Sequence, residues 1–150
     1  MPNPLHTLPL HHIDTSIFLE PPSTEVGRIC QRYIQRLGYN YHGQTPSPVL
    51  GELMLAVIQM QGYDERQDLV EWLVDTFRSR NVEFYVPLHI GARIEEIRKF
   101  DKRLQPTDVQ IVACAIEAKA VLVTIDLDLL QANKLQEHFK LRIIHPKELV

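Results

Sequence analysis

Cysteine is scarce in this chain. Cys30 and Cys114 are the only two in 150 residues. No CxxC pair exists, and both sit among apolar residues at helical spacing. Reduced core thiols are therefore expected, rather than a disulfide or a zinc site. A reducing, cytoplasmic setting fits that usage. Long apolar runs are missing too. The most apolar stretch, residues 49–60, contains Glu52 and is too short to cross a bilayer, so no membrane association is expected. Residues 1–10 hold three prolines and no basic segment, which argues against a signal peptide. Positive charge is not in excess, since the net charge is −3. Global attraction to nucleic acid is thus excluded, and any phosphate contact must come from a local basic patch. The histidines, including the adjacent His11 and His12, show no metal-ligand spacing. Repeats and low-complexity tracts are absent. One domain over residues 1–150 is expected, with 1–7 as an irregular N-terminal extension.

What is present is an alternation of strand-like and helical segments. Strands are expected at 8–13, 82–86, 120–125 and 141–144. Helices are expected at 24–37, at 46–61 with Thr45 as a hydroxyl cap, and at 64–80, 88–103, 106–119 and 129–139. Residues 39–45 read as loop. Strands separated by helices imply an α/β domain with a mainly parallel sheet and helices on both faces.

The acids carry the functional signal. Asp126 ends the most apolar strand, with Thr124 beside it and Asp128 two residues on. Asp14 follows the first strand and precedes Thr15 and Ser16. In an open parallel sheet, ligands bind beyond the carboxyl ends of the strands. Glu52 is the only charged side chain between Ser47 and Gly62, and its helical neighbours are apolar. An ionised carboxylate there is costly unless paired or metal-bound. Asp108 lies in a first helical turn, where capping alone would explain it. However, it precedes Ile111 and Val112 by three and four residues, which puts it on the sheet-facing side. Taken singly, Asp14 reads as a turn carboxylate and Asp128 as the cap of the helix at Leu129. Together the four acids suggest a hard-cation site.

Ile13-Asp14-Thr15-Ser16, then Glu52 on the helix after Thr45-Pro46-Ser47-Pro48, then Thr107-Asp108, then Val123-Thr124-Ile125-Asp126-Leu127-Asp128 follow one another in an order that resembles the PIN-domain family. That family includes the ribonuclease toxins of VapBC toxin–antitoxin modules. The C-terminal Ile143-Ile144-His145-Pro146-Lys147-Glu148-Leu149 also looks like a PIN ending, whereas residues 64–103 carry charge but no family motif. The resemblance implies metal-dependent hydrolysis of RNA phosphodiester bonds with Mg²⁺ or Mn²⁺. It casts Asp14, Glu52, Asp108 and Asp126 as metal-binding catalytic acids, and Thr15, Ser16, Thr124 and Asp128 as supporting groups. It implies an antitoxin protein as partner, and the apolar early helices are compatible with a homodimer.

RNA contacts are expected from Arg93, Arg98, Lys99 and Lys102, with Arg103, Arg78 and Arg80 extending that patch. The competing view is a solvated, salt-bridged face, because Glu95 precedes Lys99 by four residues and Glu96 and Asp101 interleave. Three other functions compete. A catalytically silent PIN-like module binding RNA or protein would more often have lost an acid. A phosphoacceptor receiver domain would need paired acids after the first strand, where Asp14 stands alone. A structural subunit whose acids are all caps would not respond to metal.

Overall fold

The computed structural model describes residues 4–150. Five strands pair in parallel into one sheet: β1 (Leu10–Ile13), β2 (His42–Pro46), β3 (Glu83–Tyr85), β4 (Val121–Val123) and β5 (Ile143–Ile144). Their spatial order is β3-β2-β1-β4-β5. The chain steps outward from β1 to β3, then returns past β1 to lay down β4 and β5. With right-handed crossovers, this change of direction puts connecting helices on both faces. It also opens a crevice beyond the carboxyl ends of β1 and β4. Register decides what reaches that crevice. Ile13 lies opposite Val123, and the Asp14 N–H donates to the Val123 carbonyl at 2.9 Å. The residues after both strands therefore emerge side by side.

Among the described residues, eight α-helices accompany the strands: α1 (Thr15–Leu19), α2 (Glu25–Arg36), α3 (Ser47–Gln59), α4 (Tyr63–Ser79), α5 (Gly91–Phe100), α6 (Pro106–Ala118), α7 (Leu127–Leu130) and α8 (Asn133–Phe139). Thr24 caps α2 by accepting from the Gly27 N–H at 2.8 Å. Gly27 itself is dictated by packing, since a Cβ there would sit 1.9 Å from the Pro21 carbonyl oxygen. α6 is the central helix. Val109, Ile111, Val112, Ala113, Cys114 and Ala115 are all buried, so it is apolar nearly all round. Lys119 ends it in the left-handed region at φ 56°. Both cysteines are free and buried, as expected. Among the described residues, no helix is long and apolar enough to cross a membrane.

Several segments differ from the sequence expectation. Of the expected 39–45 loop, residues 42–45 belong instead to β2, whose polar residues show no apolar alternation. It is a strand because it is paired on both sides, by β1 and β3. Its polar side chains are met by neighbours: His42 by Glu83, and Gln44 by His12. Tertiary context overrides propensity here. Gly43 fits between Ile13 and Leu37, whose methyl groups would lie 3.0 and 3.2 Å from an added Cβ. Thr45 is not a helix cap. Pro46 occupies that position, and the buried Thr45 hydroxyl has no hydrogen-bond partner among the described residues. The helix expected at 88–103 shrinks to α5. The Leu88 and His89 N–H groups donate to Glu117 at 3.1 and 2.9 Å, and Asp101 accepts from the Arg103 N–H at 3.0 Å. The helix expected at 129–139 divides into α7 and α8. Of the expected irregular extension, residues 1–3 lie outside the described residues. Pro4–Thr7 is a 3-10 turn, closed by the Thr7 hydroxyl donating to the Pro4 carbonyl at 2.7 Å.

Candidate active site

Asp14 leaves β1 as the residue before α1, and its side chain makes no capping bond. The carboxylate instead receives two hydroxyls on one oxygen, Oδ2. Thr124 donates at 2.7 Å and Ser16 at 2.9 Å. The fully buried Thr124 Oγ1 also accepts from the Asp126 N–H at 3.0 Å. One hydroxyl thus ties the two strand ends together. Ser16 adds a second tie, accepting from the Ile125 N–H at 3.3 Å.

Glu52 approaches from α3 and accepts from the Thr15 hydroxyl at 2.7 Å. Its flanking residues Val49 and Leu53 are buried, while Glu52 itself is half-buried. Asp108 sits in the first turn of α6. Asp126 caps α7, its Oδ1 accepting from the Asp128 N–H at 2.9 Å. Asp128, which taken singly reads as the cap of a helix at Leu129, does not take that role. That residue is exposed in the first turn of α7 instead, and its charge is felt by Arg103.

Electrostatics join the four acids into one cluster. Burial raises the Asp14 pKa, against the lowering effect of the Thr124 and Ser16 hydroxyls, and the Asp126 charge pushes the same way as burial. Burial also raises Glu52, opposed by the Thr15 hydroxyl and reinforced by Asp14 and Asp126. Asp108 is pushed up to about 6, first by burial and then by Asp126, Asp14 and Glu52. Among the described residues, none of the four is ion-paired; the ion pairs lie elsewhere. The donor set of carboxylates and hydroxyls suits Mg²⁺ or Mn²⁺ rather than zinc. Among the described residues, no three of these four carboxylates bring ligand atoms within 4.8 Å of one another. The described side chains whose ligand atoms come within 4.8 Å of one another are His6, His42 and Glu83, elsewhere in the sheet.

The expected basic patch is divided. Arg93 pairs with Glu96 at 3.6 Å and lies over the Phe139 ring at 5.5 Å. Arg98, not Lys99, takes Glu95, at 3.9 Å. Arg103 is held by Asp101 at 3.2 Å. Lys99 and Lys102 are exposed. None of these reaches the acids as an ion pair. His11 and His12 are core residues. His11 Nδ1 bonds the Tyr33 hydroxyl at 2.6 Å, and its ring stacks on Tyr41 at 4.2 Å. His12 Nε2 donates to Gln44 Oε1 at 3.0 Å. Burial lowers both pKa values to about 4, so both rings are neutral. The sequence offered no histidine metal spacing, yet the fold brings His6 and His42 together with Glu83 from three separate segments.

A family model described as PIN domain matches residues 12–135. Solved structures share the fold, among them three described next. A chain of VapBC2 from Rickettsia felis, bound to a DNA fragment from their promoter, superposes with a TM-score of 0.69 at 19% identity, covering 91% of this chain and 98% of that one. VapBC-1 from nontypeable Haemophilus influenzae gives 0.67 at 18% identity, with 92% and 98% covered. FitAcB from Neisseria gonorrhoeae gives 0.67 at 18% identity, with 91% and 97% covered. No curated protein matches the chain.

Proposed function

The chain belongs to the PIN-domain family, and on that premise we propose that it is a divalent-cation-dependent endoribonuclease, the toxin of a toxin–antitoxin pair. The observation that carries this reading is the four-acid group in which the Asp126 charge pushes up the pKa values of Asp14, Glu52 and Asp108, with none of the four ion-paired among the described residues. Such an arrangement is costly unless a cation offsets it. Asp14 and Asp126 would hold Mg²⁺ or Mn²⁺ directly, and Glu52 and Asp108 directly or through water. Bound there, the cation supplies activation of water and neutralisation of phosphodiester charge.

The chain's own residues do the positioning. Thr124 and Ser16 fix the Asp14 carboxylate and the turn that delivers Asp126. Thr15 holds the Glu52 carboxylate toward the crevice. Asp108, raised to about 6 by burial and its three neighbours, is largely ionised at neutral pH, where a bound cation would offset its charge. Asp128 supports the site through its backbone, by donating to Asp126. Lys99 and Lys102 supply mobile positive charge for RNA, while Arg93 and Arg98 are partly occupied by their acids. An antitoxin would inhibit by placing an Arg or Lys against the crevice acids. The exposed Met54, Leu55 and Ile58 on α3 offer apolar surface for a homodimer. The whole chain acts as one domain in the cytoplasm.

The test is cleavage of structured and single-stranded RNA by wild type and Asp14→Asn with Mn²⁺, Mg²⁺ or EDTA. Cutting by wild type with metal alone supports the proposal. Equal cutting by both proteins, or cutting in EDTA, removes its basis. A silent binding module would bind RNA without cutting it under any of these conditions.

A further inference from the structure

The strands of the parallel sheet all begin at the edge opposite the acidic crevice, and three donors converge there. His42 opens β2 and Glu83 opens β3. His6 lies in the 3-10 turn Pro4–Thr7 just ahead of β1. One ring nitrogen of each histidine and one Glu83 oxygen all lie within 4.8 Å of one another. The His42 Nε2 is hydrogen-bonded to Glu83 Oε1. The His6 Nε2 points at Glu83 Oε2 from 3.8 Å, too far for a hydrogen bond. The two imidazole rings are 5.2 Å apart between centroids.

The surroundings hold these groups in place. His42 is 5% exposed, so its ring cannot swing away. Gln44 pairs with Glu83 across the strands and hydrogen-bonds its carboxylate. The Gln44 carbonyl is in turn engaged by the buried His12 at 3.0 Å. Outer partners of this kind orient ligands in metal sites. Two imidazoles and one carboxylate form a borderline donor set, which selects Zn²⁺-class ions over Mg²⁺. Three protein ligands leave a fourth tetrahedral position for water.

We infer that His6, His42 and Glu83 bind one Zn²⁺-class cation, which fastens the Pro4–Thr7 turn to the starts of β2 and β3. This site is separate from the acidic crevice and does not depend on the nuclease proposal. In binding, the ion takes the place of the His42–Glu83 proton. His6 closes on the carboxylate it now faces without bonding.

The experiment uses full-length untagged protein, stripped with EDTA and titrated with Zn²⁺ by calorimetry and with Co²⁺ by visible absorption. His6→Ala and Glu83→Gln change side chains that are 57% and 43% exposed, so the core is left intact. Asp126→Asn tests the crevice separately. The expected result is one Zn²⁺ per chain and a Co²⁺ visible band in wild type and Asp126→Asn. Affinity should fall at least ~10-fold in His6→Ala and Glu83→Gln. Millimolar Mg²⁺ should not compete. Absence of Zn²⁺ binding would overturn the inference. So would equal affinity in wild type, His6→Ala and Glu83→Gln, and loss confined to Asp126→Asn would assign the ion to the crevice.

Discussion

Replacing Asp108 with asparagine should stabilise the cation-free protein at neutral pH. Burial and three neighbouring carboxylates raise the Asp108 pKa to about 6, against an unfolded value of about 3.9. A folded-state pKa above the unfolded one favours folding fully below about pH 4, and that gain is lost as pH rises through 6. Above pH 6, the ionised Asp108 is therefore a net cost in the absence of metal. Raising the Asp108 pKa from about 3.9 to about 6 would be worth about 3 kcal/mol if unscreened. The side chain is only half-buried, so solvent screening reduces this to about 1 kcal/mol. The favourable placement of a charge at the start of α6 returns some tenths of that. Asparagine keeps the shape and removes the charge. In EDTA at pH 7.5, Asp108→Asn should melt about 2–4 °C above wild type for a chain of this size. At pH 4, where the wild-type acid is protonated, the two should melt within about 1 °C of each other, because no charge remains to remove. Millimolar Mg²⁺ should reverse the order at pH 7.5. Calorimetric melts at the two pH values, with and without Mg²⁺, decide the matter. If Asp108→Asn melts below wild type in EDTA at pH 7.5, capping of α6 dominates and the reasoning fails.

Thr124→Val removes the hydroxyl that donates to Asp14 and accepts from the Asp126 N–H. Urea denaturation should show a loss of about 1–3 kcal/mol, the cost of leaving buried polar groups unpaired, and an unchanged midpoint would contradict the bridging role. Gly27→Ala pushes a methyl group to 1.9 Å from backbone oxygen of Pro21. It should cost at least about 1–3 kcal/mol as an overpacked contact, and a variant as stable as wild type would show that the 20–24 turn yields freely. His11 and His12 stay neutral in the fold, with pKa values lowered to about 4. Their contribution is present above the unfolded value near 6.5 and lost as pH falls toward 4, because the unfolded chain takes up those protons first. This loss runs opposite to the Asp108 effect. Replacing His12 with glutamine should flatten the acid side of the urea-stability profile, and an unaltered slope would remove His12 as its source.

The acids were legible because each stood out against its own context. Asp14 and Asp126 end strands, and a reversal of strand order beside β1 brings such ends together. Glu52 was conspicuous as a lone charge in an apolar stretch. Asp108 was legible from its phase relative to Ile111 and Val112. What escaped depends on partners distant in sequence. β2 has a loop-like composition, His-Gly-Gln-Thr-Pro, and is held as a strand by β1, β3 and the side chains they supply. Asp128 was a reasonable cap for a helix starting at Leu129, but the helix starts two residues earlier and Asp126 takes that role. Glu95 has two basic residues within a helical turn, and it pairs with Arg98 rather than Lys99. The His6–His42–Glu83 group has no signature in the chain, because strand pairing alone brings His42 and Glu83 together.

We propose that the four crevice acids hold Mg²⁺ or Mn²⁺ as a set. Calorimetric titration of Mg²⁺ into EDTA-stripped wild type, Asp14→Asn, Asp126→Asn and His6→Ala tests it directly, because Mg²⁺ favours oxygen donors and disregards the histidine pair. The account predicts saturable binding by wild type and His6→Ala, weakened at least ~10-fold by either aspartate substitution. Affinity unchanged by Asp14→Asn and Asp126→Asn, or no binding by wild type, would contradict it.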